Sequence, residues 1–316
     1  MNRAIRPAGA ALAALVVVAA LAALVVVAAL AVAGLTSWDL RAGRAEPLFV
    51  VGPAHGASYV PALRGRRPLF ILVLGSDARP GQRIDRERAD SIHLIAVNPR
   101  RRRATVVGFP RDSWVPIPGV GTGKINTALT YGGPPLMVQT VEALTGIRID
   151  FWVLTSFAGL ERMVDGVGGL RVDVPYPMQD RFSGSSFPPG LQRLDGREAL
   201  AFARDRHSPP EGDFGRSENQ GRLLVAALAE LRRAFRRDPA SLFAWIALGW
   251  RHFRSDLSVG TLLDLGLTAT HIPPGRVRNL VVPGATGTAG GASVVYLSPA
   301  ARSLFADLRP DGLVGR

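Results

Sequence analysis

The chain contains no cysteine, which excludes a disulfide scaffold, a thiolate nucleophile and any metal centre held by sulfur. A domain exported from the cytoplasm would have to be stable through packing alone. Lysine is almost absent too: Lys124 is the only one, so the formal net charge of +13 rests on arginine. Such a charge favours an anionic partner, whether nucleic acid, phospholipid or a phosphorylated substrate. A GC-rich coding sequence would also load the chain with Arg, Ala, Gly and Pro, so charge alone does not choose among these. Aromatic residues are only 7% of the chain and are not interleaved with a basic run, which argues against a nucleic-acid surface.

Several catalytic signatures are missing as well. No serine has glycine two residues away on both sides, so the hydrolase nucleophile elbow is absent. The stretch GVGTGKINT faintly resembles a phosphate loop, but Pro118 stands where the first glycine is required and Ile125 where Ser or Thr must follow Lys124. His55, His93, His207, His252 and His271 are scattered without ligand spacing, which leaves no zinc site; His93, inside an apolar strand, reads as a packed residue.

What is present begins with an apolar run. Ala8 to Leu35 carries no charge, and a helix there would rise roughly 40 Å at about 1.5 Å per residue, enough to cross a bilayer. Ala11 to Ala19 repeats as Ala20 to Ala28, so apolar length rather than a binding face is what this segment supplies. Ala31, Val32 and Ala33 resemble a signal-peptide cleavage site, but the run exceeds the usual ~7–15-residue core. Arg3 and Arg6 before it and Arg41 and Arg44 after it give only a weak orientation signal; the short head argues for an amino terminus inside and a domain outside. The expected organisation is a cytoplasmic head over 1–7, a transmembrane helix over 8–35, a juxtamembrane linker over 36–67 and one extracytoplasmic domain over 68–316.

The 316 residues, 47% of them hydrophobic, suffice for a genuine core. Short apolar runs at Leu69 to Leu74, Ser91 to Asn98 and Ala104 to Phe109 have the length of buried strands. Helical patterns follow at Pro134 to Leu144, Phe157 to Val164, Arg197 to Ala203 and Glu218 to Phe235, with strands at Phe151 to Thr155 and Leu170 to Val174. The tail adds helices at Leu242 to Trp250 and around Leu262 to Thr268, and strands at Val277 to Val282 and Ser293 to Leu297. Strands alternating with helices predict an α/β domain, a three-layer α/β/α arrangement around a mixed sheet.

Three segments could carry chemistry. GSDAR, Gly75 to Arg79, leaves a strand at the end where ligands gather in α/β sheets, and a hairpin-like return would bring Asp90 of the following RADS back to Asp77. Two close carboxylates suit Mg²⁺ or Mn²⁺; the plainer alternative is a pair of turn caps bonded to neighbouring arginines. FPRDSW, Phe109 to Trp114, sets Arg111 beside Asp112, a spacing also expected of a local salt bridge. In ARDRH, Ala203 to His207, an extended chain would point Arg204 and Arg206 the same way. If Asp213 starts the next helix, Arg216 and Gln220 share one face of it. Guanidinium groups grouped in this way suit phosphate oxygens; the alternative is a solvated helix face with Glu218 and Arg222 as an i, i+4 pair.

In order, GSDAR, RADS, FPRDSW, KIN, VDGVGGLRVDV, LDGREALAFARDRH and DFGRSENQ resemble the successive motifs of the LytR-CpsA-Psr family of envelope glycopolymer ligases, from about Leu69 to Leu231, and the carboxyl-terminal VVPGATG resembles actinobacterial members. The resemblance implies a membrane-anchored, extracytoplasmic phosphotransferase. Such an enzyme holds a polyprenyl diphosphate in an apolar channel and moves its phosphate-linked glycan, of teichoic acid, capsule or arabinogalactan type, to peptidoglycan or a related wall polymer. It implies Asp77, Asp90 and Arg111 as the catalytic set, Asp77 and Asp90 as carboxylates for Mg²⁺ or Mn²⁺, and Arg79, Arg88, Arg111, Arg204, Arg206, Arg216 and Gln220 as contacts to the diphosphate. Lys124 and Asn126 fall in a motif of structural or rim character. Asn219 stands where relatives often carry a basic residue, and Gly108 where serine is commoner.

The physics agrees with this reading. Outside the membrane there is no ATP, so a ligase must use an already activated bond, and phosphoryl transfer needs positioning and charge neutralisation more than covalent help. A channel for the prenyl chain is expected beside Leu72, Leu94 and Val107 of the strands and Leu160, Met163 and Val164 of a helix. Two other readings remain: a hydrolase that uses water as acceptor at the same site, and a non-enzymatic envelope regulator, whose arginine surface an anchored domain would hold on the wrong side of the membrane for DNA.

Overall fold

The computed structural model describes residues 49–55, 67–241, 253–255 and 259–315. The expected head, the expected transmembrane helix and the helix expected at Leu242 to Trp250 lie outside the described residues. Among those that are described, no helix is long and apolar enough to cross a membrane.

The chain runs β1 (Phe49–Pro53), β2 (Leu69–Ser76), β3 (Ala89–Asn98), β4 (Arg103–Gly108) and the hairpin β5 (Trp114–Ile117) with β6 (Gly121–Lys124). Helix α1 (Thr127–Thr145), β7 (Phe151–Ser156), α2 (Phe157–Gly166), β8 (Leu170–Val174), β9 (Met178–Asp180), β10 (Ser185–Phe187) and β11 (Gly190–Leu194) follow. The chain continues through α3 (Gly196–Arg204), α4 (Asp213–Arg237), β12 (Phe253–Ser255), α5 (Val259–Thr270), β13 (Val277–Val281), β14 (Gly284–Ala289), β15 (Ala292–Leu297) and α6 (Pro299–Asp311). A seven-stranded sheet in the order β12-β1-β7-β2-β3-β4-β13 forms the centre. It is mixed: β2 pairs parallel with β7 and antiparallel with β3, and β4 pairs antiparallel with β3 and parallel with β13.

Strand β2 reads as a continuous apolar run because helices cover both faces of the sheet. Leu72 and Leu74 face Met137 and Val141 of α1 and Phe305 and Leu308 of α6 in one core. Leu69, Ile71, Ile95 and Val153 face Leu228 of α4 and Leu262 and Leu265 of α5 in another. A third core, with Val172, Met178, Phe202 and Leu223, joins β8, β9, α3 and α4 into a flap beside the second face. The α/β class with a mixed central sheet is as the sequence predicts.

Three expectations change, and the rejected phosphate-loop lookalike finds its structural place. Phe49–Pro53, read as linker, is the strand β1 between β7 and β12; its apolar stretch FVV is too short to show a period, and only tertiary pairing makes it a strand. Helix α1 starts before Pro134 and is broken at Gly133 (φ 65°, ψ −163°), where the GGPP sequence interrupts the backbone ladder. The glycine-rich GVGTGK closes the β5–β6 hairpin, with Gly119 and Gly121 at φ 73° and 114°. The strand residues named for the lipid channel lie on the wrong face: Leu72, Leu94 and Val107 are fully buried against α1 and α6. With a side-chain period of 2, moving from Leu72 to Val73 changes faces.

Candidate active site

The site lies where β2 ends, on the face covered by α4. The backbone N–H of Asp77 donates to the carbonyl of Arg88 (3.1 Å), which closes the GSDAR turn onto the start of β3 and brings Asp77 towards Asp90. Burial, then the negative charge of Asp90, then that of Glu87 push the Asp77 carboxyl above its ordinary pKa. The two carboxylates are near enough for the charge of one to act on the other.

Arg111 and Asp112 do not bond each other. Arg111 reaches the Asp90 carboxylate at 2.6 Å, and Asp112 pairs with Lys124 at 3.1 Å. Backbone bonds from Asn126 to the carbonyl of Arg111 (3.2 Å) and from Ile125 to that of Ser113 (2.8 Å) explain the structural part of KIN: it fastens the FPRDSW loop. Burial opposes the Arg111 charge, but Asp90 reverses this and holds its pKa above the usual value. Its Nε is buried without a hydrogen-bond partner, a donor that an oxygen of a bound anion could satisfy.

Helix α3 begins with a capping box, Asp195 on the Glu198 N–H and Glu198 on the Asp195 N–H. It ends at Asp205, whose backbone is extended (φ −63°, ψ 121°). Asp205 is fully buried and accepts from the backbone N–H groups of His207 and Ser208 (both 3.0 Å) and from Ser185 Oγ (2.6 Å). A residue turned inward between Arg204 and Arg206 leaves both arginines exposed on the outer side, as an extended chain requires. The guanidinium of Arg204 lies 5.3 Å from the Phe157 ring centroid. Asp213 does open α4, and Arg216 bonds it at 2.6 Å. Burial holds the pKa of Arg216 below its ordinary value, with Asp213 opposing and Arg111 adding to the effect. The Gln220 amide donates to the carbonyls of Ala203 (3.1 Å) and Asp90 (3.4 Å), tying α4 to the end of α3 and the start of β3.

These parts surround one cavity of about 350 Å³, within the usual size range of small-molecule sites. Asp90, Arg111, Arg204, Arg206, Arg216 and Gln220 are among the polar residues that line it, and Val73, Leu160, Leu200, Leu223 and Leu224 among the apolar ones. Arg79 and Arg88 are exposed, and neither they nor the half-buried Asp77 line that wall. Of the helix residues named for the channel, Leu160 faces the cavity and Val164 belongs to the flap core. The sequence reading also passed over Asp180, Phe182 and His207 on the same wall. His207 lay in a quoted motif, but its partner Asp180 is on β9 and no spacing connects them.

Beneath the cavity, α4 is fixed to the sheet through His93, which bonds the Ser217 carbonyl (3.0 Å) and Ser91 Oγ (3.1 Å). It is a packed residue, as expected. Burial pushes its pKa down to about 4, the Ser217 carbonyl opposing only in part. A histidine kept neutral when folded gains its proton on unfolding, so its stabilising effect is complete above the unfolded pKa of about 6.5 and is lost as pH falls through about 4. The loss is on the order of 3 kcal/mol. Urea titrations across that window should show a steeper acid decline for the wild type than for His93→Gln; parallel curves would sink the assignment.

Gly108 pairs with His93 on the neighbouring strand. A methyl built there would collide with Ser217 Oγ and stand 3.0 Å from His93 Nε2, so a serine, which the resemblance leads one to expect here, has no room beside Ser217. Gly108→Ala should cost about 1–3 kcal/mol. Ser217→Ala should be nearly neutral, because its buried Oγ has no partner, and the double variant should recover part of the loss. Additive denaturation free energies would contradict the collision.

A family model described as the LytR_cpsA_psr family matches residues 54–306. Among curated relatives, the polyisoprenyl-teichoic acid–peptidoglycan teichoic acid transferase TagU of Enterococcus faecalis is 36% identical over 163 residues, 51% of this chain and 53% of that protein. The chain thus spans about half the length of the curated relatives it matches. Among solved structures, a LytR-Csp2A-Psr enzyme from Actinomyces oris is similar over 86% of this chain and 98% of its own, with TM-score 0.63 and 23% identity. The family protein YwtF (TagT) with bound octaprenyl pyrophosphate lipid is similar over 84% and 94%, with TM-score 0.59 and 22% identity. At these identities the likeness to solved structures concerns the fold. The matched span contains every site residue described above, from Asp77 to Gln220, and the chain belongs to the LytR_cpsA_psr family.

Proposed function

We propose that this protein is a phosphotransferase that moves a phosphate-linked glycan from a polyprenyl diphosphate to peptidoglycan or a related wall polymer. The observation that carries this reading is a cavity whose wall combines four arginines with apolar side chains. A lipid diphosphate combines the same two chemistries. The names of the relatives as teichoic acid transferases and the octaprenyl pyrophosphate bound by TagT support it.

In this reading Arg111, Arg204, Arg206 and Arg216 hold the diphosphate oxygens and neutralise the charge that grows on them as the bond breaks. Gln220 keeps α4 in register with Asp90. Arg79 and Arg88, exposed near the Asp77 turn, meet the outer head group. Val73 and Leu160 shelter the first carbons of the chain.

Asp77 and Asp90 fit Mg²⁺ or Mn²⁺. Burial and, after it, the charge of Asp90 raise the pKa of Asp77, and a cation would relieve both. Among the described residues no group of three or more His, Cys, Asp or Glu could hold a metal ion, so diphosphate and water oxygens would complete the shell, as is usual for Mg²⁺. The bound ion would polarise the phosphoryl group that is transferred. Asp90 would share its carboxylate between that ion and Arg111.

The test is incubation of the purified chain with a labelled lipid-linked glycan and wall fragments. Label joined covalently to the polymer, with prenyl phosphate released, is the expected result. Release of free glycan alone would make the protein a hydrolase, and no reaction would leave only the regulator. We further propose that residues 8–35 anchor the chain with this domain outside the cell. External protease on intact protoplasts should then digest the domain; protection of the domain would overturn that placement.

A further inference from the structure

We infer that His207 is the base that takes the proton from the attacking hydroxyl of the acceptor glycan, with Asp180 as its positioning residue. The inference rests on the transferase reading and supplies a group that reading lacks. A sugar hydroxyl must lose its proton as it bonds to phosphorus. Of the two site carboxylates, Asp90 is bonded to Arg111 (2.6 Å) and Asp77 is not on the cavity wall, so neither is placed for this task.

Imidazole has the right chemistry, with an ordinary pKa near 6.5. His207 Nδ1 lies 3.1 Å from Asp180 Oδ2. Asp180 is only 5% exposed, and its Oδ1 accepts from the Phe182 N–H (2.9 Å), so the carboxylate cannot swing away. Burial works against its charge, but the Phe182 N–H and His207 together hold its pKa below the ordinary value, so it stays ionised. An anion at Nδ1 selects the tautomer with hydrogen on that nitrogen, which leaves the Nε2 lone pair open.

The ring is also fixed in direction. Its centroid is 5.1 Å from that of Phe182, and the backbone is pinned by buried Asp205. The side chain keeps 45% of its surface exposed, and it borders the cavity that Asp90 and Arg216 line. Other charges around it are Arg204 and Arg206 on its own segment, Arg181 over Phe182, and Arg111 with Asp90 on the cavity wall. A buried carboxylate, an oriented imidazole and a substrate-sized space reproduce the base-plus-orienter arrangement found in unrelated group-transfer enzymes.

In the step, the acceptor O–H proton passes to Nε2 and the oxygen bonds to the phosphorus that bears the glycan. The bond from that phosphorus to the bridging oxygen breaks, and polyprenyl monophosphate leaves with the electron pair. The imidazolium, held by Asp180, then releases its proton to solvent.

The test uses the full chain, a labelled prenyl-diphosphate glycan and wall fragments. His207→Gln should bind the lipid diphosphate as the wild type does, slow transfer by about 10²–10⁴-fold, and abolish the acid limb of kcat against pH. Asp180→Asn should lower kcat with little change in KM, since the imidazole loses the group that orients it. Added imidazole should partly restore His207→Ala, which a merely structural role would not allow. A His207→Gln chain that keeps its rate, or slows but keeps its acid limb, overturns the inference while the transferase reading stands. Failure of the wild type to transfer sinks both.

Discussion

Arg216→Ala should destabilise the protein by about 3 kcal/mol, because it leaves the half-buried Asp213 carboxylate without the buried guanidinium that pairs with it. For a domain of this size that is a fall in melting temperature of roughly 10 °C. The guanidinium is only 6% exposed, so solvent cannot replace it, and one Asp213 oxygen is already buried without a partner. Arg216→Met should lose nearly as much, since volume is not what matters. Combining Arg216→Met with Asp213→Leu should recover most of the stability, as apolar replacements of buried pairs often do. In the proposed function this rescued double variant remains unable to bind prenyl diphosphate, because the anion contact is gone. Chemical denaturation and calorimetric binding together read both effects; an unchanged midpoint for Arg216→Ala would show that the pair contributes nothing.

Asp77→Asn and Arg111→Ala should both slow transfer, but they should part company over Mg²⁺. The asparagine keeps the volume and removes the charge, so metal affinity falls, lipid binding persists, and excess Mg²⁺ partly restores the rate. Arg111→Ala removes a charge-assisted contact in a partly dry site and should raise the barrier by about 2–5 kcal/mol. It also releases Asp90, whose carboxylate Arg111 holds at 2.6 Å, so Mg²⁺ should bind at least as tightly while turnover stays low. Metal titration followed by calorimetry, alongside the transfer assay, separates the two. Full activity of Asp77→Asn in chelator-treated buffer would return the carboxylates to turn caps and ion-pair partners.

The legible part of the molecule is the part with local causes. The apolar run of β2 and the helix over Arg197 to Ala203 appear where sequence rules place them, because each is set by neighbours within a few residues. The motif order identified the family through the same local blocks. Arg204 and Arg206 were legible as a pair because one extended residue between them suffices to align them, and Asp205 supplies it. By contrast, β1 was taken for linker, since five residues become a strand only when β7 and β12 flank them.

Composition and local pattern alone determined the α/β class, the lack of any thiol, and which arginine-bearing segments could meet a phosphate. Tertiary structure decided the rest: that Arg111 pairs with Asp90 rather than with adjacent Asp112, that Val73 rather than Leu72 faces the cavity, and that Asp180 stands behind His207. The reason is physical. Helix caps and strand runs depend on contacts a few residues apart, whereas the face a strand presents and the partner a charge finds depend on which elements the whole core brings together.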